Sequence, residues 1–62
     1  MTNFYILIDN SGELRKGFGS KASMIGIDVF SNQLSDSAPM ARPFILYQNK
    51  NGNLQEVKRY GD

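Results

Sequence analysis

Residues 42–60 read RPFILYQNKNGNLQEVKRY, and this stretch predicts a β-hairpin. Its first run, Phe44 to Tyr47, consists of residues that suit a pleated, half-buried strand. The Asn51-Gly52 step that follows tolerates positive φ and is typical of a tight hairpin turn. A second run, from Leu54 to Tyr60, would return antiparallel to the first. Two strands joined by a short turn are therefore expected here.

The same pattern occurs near the beginning of the chain. Asn3 to Asn10 is the first predicted strand, and its FYILI run is apolar at every position. A run without alternation indicates a central strand, or one that is covered on both faces. Phe4, Ile6 and Ile8 would share one of these faces.

Glu13 to Phe18 is predicted to return as the second strand, after a turn over residues 9–12. This run is short and polar, which is typical of a charged edge strand. Leu14 and Phe18 are expected to lie together on one face, because side chains alternate along a strand.

The segment between the hairpins allows two interpretations. As a helix, it would begin at an N-cap Ser20, end before Pro39, and present an apolar stripe of Ala22, Ile25, Val29, Phe30 and Leu34. As a strand, Ile25 to Val29 alternates apolar residues with small or polar ones. The helix is favoured because residues 31–34 continue its apolar face.

We therefore expect one α+β domain over residues 1–62. Two β-hairpins would form a four-stranded antiparallel sheet, with one helix packed on one face, in the order ββαββ. If the middle segment is a strand instead, a small five-stranded β-barrel results. Gly61 and Asp62 are expected to be frayed.

Size and composition limit how such a domain can be stabilised. A core in 62 residues rarely supplies more than about 3–5 kcal/mol, so small domains usually add a disulfide, a metal or a partner chain. The chain has no Cys and no His, and we expect neither a metal nor a cofactor. Another protein or a second copy of the chain is the remaining means of stabilisation.

The composition also limits function and location. Without His or Cys the chain lacks the commonest general base and the thiolate nucleophile, and we expect it not to be an enzyme. The longest apolar run, Phe4 to Ile8, is far too short to span a bilayer, and no secretory signal is recognisable. A cytoplasmic location without membrane attachment is expected.

Protein binding is the function that we predict from these features. A small inhibitor, adaptor or regulatory accessory protein, of the kind that phages and mobile elements encode, fits the size and the net charge of +1. Exposed hairpin edges could accept a partner strand. Aromatic and Arg side chains dominate interface energies, and in the second hairpin they identify the candidate contact residues Tyr47, Lys50, Val57, Arg59 and Tyr60.

Nucleic-acid binding through the sheet and hairpin face is the alternative. Cations that contact phosphates and aromatic rings that stack on bases are both present. The basic residues concerned are Arg15, Lys16, Lys21, Lys50, Lys58 and Arg59, and the rings are Tyr5, Tyr47 and Tyr60. The acidic residues are nearly as numerous as the basic ones, which weakens the positive field that this function needs.

The ending NGNLQEVKRYGD, residues 51–62, resembles the close of a family of small bacterial ββαββ domains of unknown function. The resemblance covers the last third of the chain, from Pro43 onwards. It consists of a polar-Gly-x-aliphatic strand, basic residues and a final Tyr-Gly. The resemblance implies the ββαββ order and no particular activity.

Overall fold

The computed structural model describes residues 4–62 of the chain. Its elements are β1 (Phe4–Ile8), β2 (Leu14–Phe18), α1 (Met24–Ser37), β3 (Phe44–Lys50) and β4 (Asn53–Tyr60), with a 3-10 turn at Pro39–Ala41. The predicted ββαββ order is confirmed, and the middle segment is a helix, so the five-stranded barrel is excluded. Asn3, which the prediction included in the first strand, lies outside the described residues.

The strands form one antiparallel sheet in the order β2-β1-β3-β4. The two apolar strands β1 and β3 are therefore central neighbours, and the two polar strands are the edges. The Asn51-Gly52 turn closes the second hairpin with positive φ at both residues, as its sequence predicts. Helix α1 packs on one face of the sheet, over a core of Leu7, Ile27, Phe44, Leu46 and Tyr60.

Helix α1 begins later than expected, because Ser23 rather than Ser20 caps it. The Ser23 hydroxyl accepts a hydrogen bond from the backbone N–H of Gly26 at 3.1 Å, which satisfies one of the free donors of the first turn. The helix then ends at Ser37, just before Pro39.

The helix presents a different face to the sheet from the one predicted. Ile25 and Val29 are 78% and 52% exposed, whereas the buried helical residues are Ile27, Ser31 and Ser35. The predicted stripe was wrong at its centre, because the large rings of Phe44 and Tyr60 already fill the space above the sheet. Small serine side chains allow the helix to approach these rings closely. At the ends of the stripe, Ala22 and Leu34 do pack against the core.

A β-bulge in β2 overturns one further expectation. Leu7 pairs with Lys16 but Ile8 pairs with Leu14, so Arg15 is an extra residue in the edge strand. An extra residue shifts the alternation of side chains by one position. Leu14 therefore faces away from the helix, while Phe18 faces it and packs edge-on against Phe30.

The first turn is organised around Asp9, whose side chain is buried. Its Oδ1 accepts hydrogen bonds from the Ser11 hydroxyl at 2.7 Å, the Ser11 N–H at 2.9 Å and the Glu13 N–H at 3.0 Å. Arg15 Nη1 lies 3.2 Å from the other carboxylate oxygen. The Ser11 hydroxyl, followed by these other donors, lowers the pKa of Asp9 to about 2.

Acid should weaken the fold through this carboxylate. Because the pKa of Asp9 is lower in the folded chain than in the unfolded one, the carboxylate stabilises the fold above pH ~4, and this contribution is lost as the pH falls towards ~2. The variant Asp9→Asn keeps an acceptor oxygen but cannot ionise. We expect wild type to be more stable at neutral pH and the difference to shrink over this window. Urea unfolding of both proteins across the pH range measures it, and a constant difference would contradict the prediction.

Candidate protein-binding surface

The face of the sheet opposite α1 is mostly apolar. Cross-strand partners point to the same side of a sheet, so the pairing registers define which side chains lie there. We call this surface the open face; it consists of the rows Leu14-Ile8-Ile45-Arg59, Gly17-Ile6-Tyr47-Glu56 and Phe4-Asn49-Leu54. Most of its side chains are aliphatic or aromatic, and they form one continuous patch.

No element within residues 4–62 covers the open face, since α1 and the 3-10 turn both pack on the other side of the sheet. On the edge strands, Leu14 and Leu54 are 59% and 54% exposed. On the central strands, Ile6 and Ile45 are half-buried. A continuous exposed apolar patch of this kind marks an interaction site far more often than scattered apolar residues do.

Two of the predicted contact residues, Tyr47 and Arg59, lie together on the open face. Glu56 connects them: it is the cross-strand partner of Tyr47, and its carboxylate accepts two hydrogen bonds from the Arg59 guanidinium at 2.8 and 3.2 Å. This bidentate contact lowers the pKa of Glu56 and raises that of Arg59. Both groups are about half exposed, so this is a solvent-exposed ion pair and not a buried one.

The other three predicted contact residues lie elsewhere. Tyr60 faces the helix and is 3% exposed, so its side chain does not belong to the same surface. Lys50 lies at the hairpin turn and, by the alternation along β3, points to the helix side. Val57 is the extra residue of a bulge, because Leu46 pairs with Lys58 while Tyr47 pairs with Glu56.

The sheet edges are less suited to binding than the open face is. Each edge strand contains a bulge, at Arg15 in β2 and at Val57 in β4. A bulge interrupts the row of backbone donors and acceptors that an added strand would need, and charged side chains oppose such an addition further. The predicted edge-to-strand mode is therefore disfavoured, and the open face becomes the candidate surface.

The placement of charges does not favour the nucleic-acid alternative. Among the described residues, three of the six predicted cations, Arg15, Lys58 and Arg59, each have a carboxylate within 3.2 Å. Lys16, Lys21 and Lys50 form no ion pair in this part of the chain, but Lys16 and Lys50 point to the helix side. Tyr5 and Tyr60 point to the helix side, which leaves Tyr47 as the ring on the open face. A strand of bases needs several exposed rings beside unneutralised cations. Nucleic-acid binding stays a prediction from the sequence.

Residues 4–62 enclose no pocket and bring together no cluster of three or more carboxylates that could hold a metal ion. No helix in this part of the chain combines the length and the apolar character needed to cross a membrane.

Several residues of the open face are absent from the predicted contact residues, although the sequence contains a pattern that indicates them. The runs FYILI and FILY are apolar at consecutive positions, and consecutive positions point to opposite faces. One helix can cover only one face of a sheet. The second apolar face had to be either exposed or covered by another chain, and its members missing from the prediction are Phe4, Ile6, Ile8, Leu14, Ile45 and Leu54.

The comparisons with models of protein families, with curated proteins and with solved structures each returned no match. The resemblance of the C-terminal third to small bacterial ββαββ domains therefore stays a prediction.

Proposed function

We propose that this protein is a non-enzymatic protein-binding module that contacts its partner through the open face. The observation that supports this most strongly is the apolar patch on the uncovered side of the sheet, centred on Ile6 and Ile45. At about 25 cal/mol per Å² of apolar surface removed from water, covering such a patch is a large favourable contribution. The cytoplasmic location predicted from the sequence belongs to the same proposal.

The composition of the open face indicates the chemistry of the partner surface. Apolar side chains occupy its middle, and the Glu56–Arg59 pair lies on the edge strand β4. Protein interfaces have this arrangement, with a dry apolar centre and a solvated polar rim. A complementary surface would be flat and apolar, as the face of a second sheet is. An inhibitor, adaptor or accessory protein that docks on a partner domain fits this description.

Capture from lysate of the native cell tests the proposal. The double variant Tyr47→Ala/Arg59→Ala removes the largest ring and the guanidinium from the open face and leaves the helix side unchanged. We expect it to capture its partner at least about tenfold more weakly than wild type, because two side chains of these types at a contact contribute more than ~1.4 kcal/mol.

The control variant is Ile25→Ala/Val29→Ala, which removes exposed apolar side chains from the outer face of α1. It should capture the same proteins as wild type does, including any untagged copy of the chain itself. If both double variants retain the wild-type set of partners, the open face is not the binding surface.

A further inference from the structure

We propose that a second surface of this protein binds an acidic segment of another polypeptide. The surface lies at the end of the molecule where α1 begins, and we call it the basic end; its cations are Lys16, Lys21 and Lys50. The inference goes beyond the proposed function, because these side chains do not belong to the open face. Lys16 and Lys50 point to the helix side of the sheet, and Lys21 lies in the connection between β2 and α1.

The ion pairs of the protein leave these three lysines without a carboxylate. Four of the seven basic residues lie within 3.6 Å of a carboxylate oxygen, namely Arg15, Arg42, Lys58 and Arg59. The lysines of the basic end form no such pair within residues 4–62. They contribute a charge of +3, whereas the other four cations and the six carboxylates sum to −2, and together these values give the net charge of +1. The excess positive charge is therefore concentrated in the basic end.

The register of the sheet brings two of the lysines to the same end of the molecule. Tyr5 of β1 pairs with both Phe18 and Gln48, so these two residues are level and lie two strand spacings apart, about 10 Å. Lys21 follows Phe18 in the connection to α1, and Lys50 lies two residues beyond Gln48, at the end of β3. Both lysines are therefore beyond the same end of the sheet, on the side where α1 starts.

Lys16 belongs to the same group through contacts on the helix side. Its Nζ lies 5.6 Å from the centre of the Phe30 ring, and Phe30 packs edge-on against Phe18. Phe30 and Met24, the first residue of α1, are 36% and 38% exposed. The basic end thus has exposed apolar side chains beside its unpaired cations. A segment in which carboxylates alternate with apolar side chains complements both features.

The segments that form the basic end contain no acidic residue. Residues 14–27 and 37–55 have no Asp or Glu, and they supply β2, the start of α1 and the β3–β4 turn. A carboxylate that approaches this end therefore meets no neighbouring negative charge, and salt is what screens its attraction to the lysines.

The number of cations favours a polypeptide over a nucleic acid or a membrane. A DNA-binding protein that depends on phosphate contacts commonly makes about 6–10 of them, and clusters that recognise anionic lipids have about 4–8 basic residues. The basic end has three lysines. Stacking of bases also needs a free ring face, whereas Phe30 is already in contact with Lys16 and Phe18. Three carboxylates on one short segment match the lysines in number.

Titration with synthetic peptides, followed by the NMR amide signals of the protein, tests the inference. The probe is a peptide in which Glu and Asp alternate with Leu and Phe, and the reference is the same peptide with Gln and Asn in place of the acids. At about 0.15 M salt, where exposed charges are screened beyond ~8 Å, we expect the acidic peptide to bind at least about tenfold more tightly. Its binding should shift the amide signals of residues 16–24 and of Lys50.

Two double variants with the same net charge locate the contact. Lys16→Gln/Lys21→Gln removes two unpaired cations and should weaken binding of the acidic peptide at least about tenfold. Lys58→Gln/Arg59→Gln is the matched control, because it removes two cations that already have carboxylate partners, and it should leave the affinity unchanged. Lys21→Glu reverses one charge outside the strands and the helix, so it keeps the test valid if the first variant fails to fold. Circular dichroism confirms that each variant is folded.

Three results would overturn the inference. Equal affinity for the two peptides would show that the carboxylates are not recognised. Equal weakening by the two double variants would show that affinity follows net charge and not the basic end. Tighter binding of a single-stranded oligonucleotide or of phosphatidylserine vesicles than of the acidic peptide would assign the basic end to that ligand instead.

Failure of this inference is distinguishable from failure of the proposed function. The open face is tested by Tyr47→Ala/Arg59→Ala, which leaves all three unpaired lysines in place. We expect that variant to bind the acidic peptide as wild type does. Loss of peptide binding in that variant would place the peptide on the open face and overturn the assignment to the basic end.

Discussion

Replacing Gly61 with alanine is expected to lower the free energy of unfolding by about 2–4 kcal/mol, which is most of the ~3–5 kcal/mol that a core of this size supplies. Two separate costs add at this position. Gly61 has a φ of +75°, a backbone conformation that side chains with a Cβ rarely adopt. The new methyl group would also occupy space that other atoms already fill.

The atoms in question cannot move aside easily. A Cβ at position 61 would overlap Ser35 Oγ and come within 2.7 and 2.8 Å of Cδ and Cγ of Arg42. Ser35 is buried on the helix, and Arg42 is held by a 2.8 Å hydrogen bond from its Nε to the Ser35 carbonyl. Making room would break that bond. Gly61 itself is exposed, but the position of an added Cβ points against the end of α1. That Gly61 and Asp62 are frayed stays a prediction from the sequence.

Gly52→Ala is the matched control, since φ is +89° there but no other atom lies within 4 Å of the added methyl group. We expect this control to lose about 1 kcal/mol, from the backbone conformation alone. Thermal unfolding should show a much lower midpoint for Gly61→Ala than for Gly52→Ala. Adding Arg42→Ala to Gly61→Ala should recover part of the difference. Equal effects of alanine at positions 61 and 52 would show that packing around Gly61 contributes nothing.

The parts of the fold that the sequence predicts well are those set by neighbouring residues. The turn at Asn51-Gly52 depends on residues that accept positive φ, and the structure has positive φ at both. The uninterrupted apolar run of β1 indicates a central strand or one covered on both faces, and β1 is central in the sheet.

The parts that sequence reasoning missed depend on distant contacts. Which face of α1 meets the sheet is decided by the bulk of Phe44 and Tyr60, which lie far along the chain from the helix. For this reason Ser31 and Ser35 are buried while Ile25 is exposed, against any ranking by hydrophobicity. The bulges at Arg15 and Val57 likewise depend on the pairing between strands. Each bulge changes which face of the sheet the following side chains point to, and the sequence of one strand alone does not show this change.

The dependence on strand pairing also explains why the residues of the proposed binding surface were predicted only in part. Tyr47 and Arg59 are residue types that dominate interfaces wherever they are exposed, so their types alone suggested them. Tyr60 is of the same type but is the cross-strand partner of Phe44 on the helix side. The register of strand pairing therefore places Tyr47 on the open face and Tyr60 in the core.

A second large loss in the free energy of unfolding is expected when the contact between Asp28 on α1 and Tyr60 on β4 is removed. The Tyr60 hydroxyl donates a 2.6 Å hydrogen bond to Asp28 Oδ1, and Lys58 Nζ donates to the same oxygen at 3.1 Å. We expect Tyr60→Phe to lower the free energy of unfolding by about 1–2 kcal/mol, since one hydrogen bond to a charged group is lost. Asp28→Ala should be more damaging, although it removes the more exposed partner.

This order follows from what each change leaves behind. After Tyr60→Phe, the Asp28 carboxylate still has Lys58 and remains accessible to water. After Asp28→Ala, the buried Tyr60 hydroxyl loses its charged acceptor and keeps the weaker Ser31 hydroxyl beside it, and a poorly paired buried hydroxyl costs roughly 1–3 kcal/mol. The double variant should therefore be less destabilised than the sum of the two single ones. Urea unfolding of the four proteins measures the coupling, and strict additivity would show that the two groups do not depend on each other.

Alkaline unfolding gives an independent measure of the same contact. Burial, followed by the hydrogen bond to Asp28, raises the pKa of Tyr60 to about 12, above its ordinary value of 10. The neutral phenol therefore stabilises the fold fully below pH ~10, and this contribution is lost as the pH rises towards ~12. Wild type should lose its advantage over Tyr60→Phe across that window, because phenylalanine does not ionise. If wild type keeps the same advantage throughout, the phenol at position 60 is not held neutral by its surroundings, and the contact to Asp28 is weaker than its length implies.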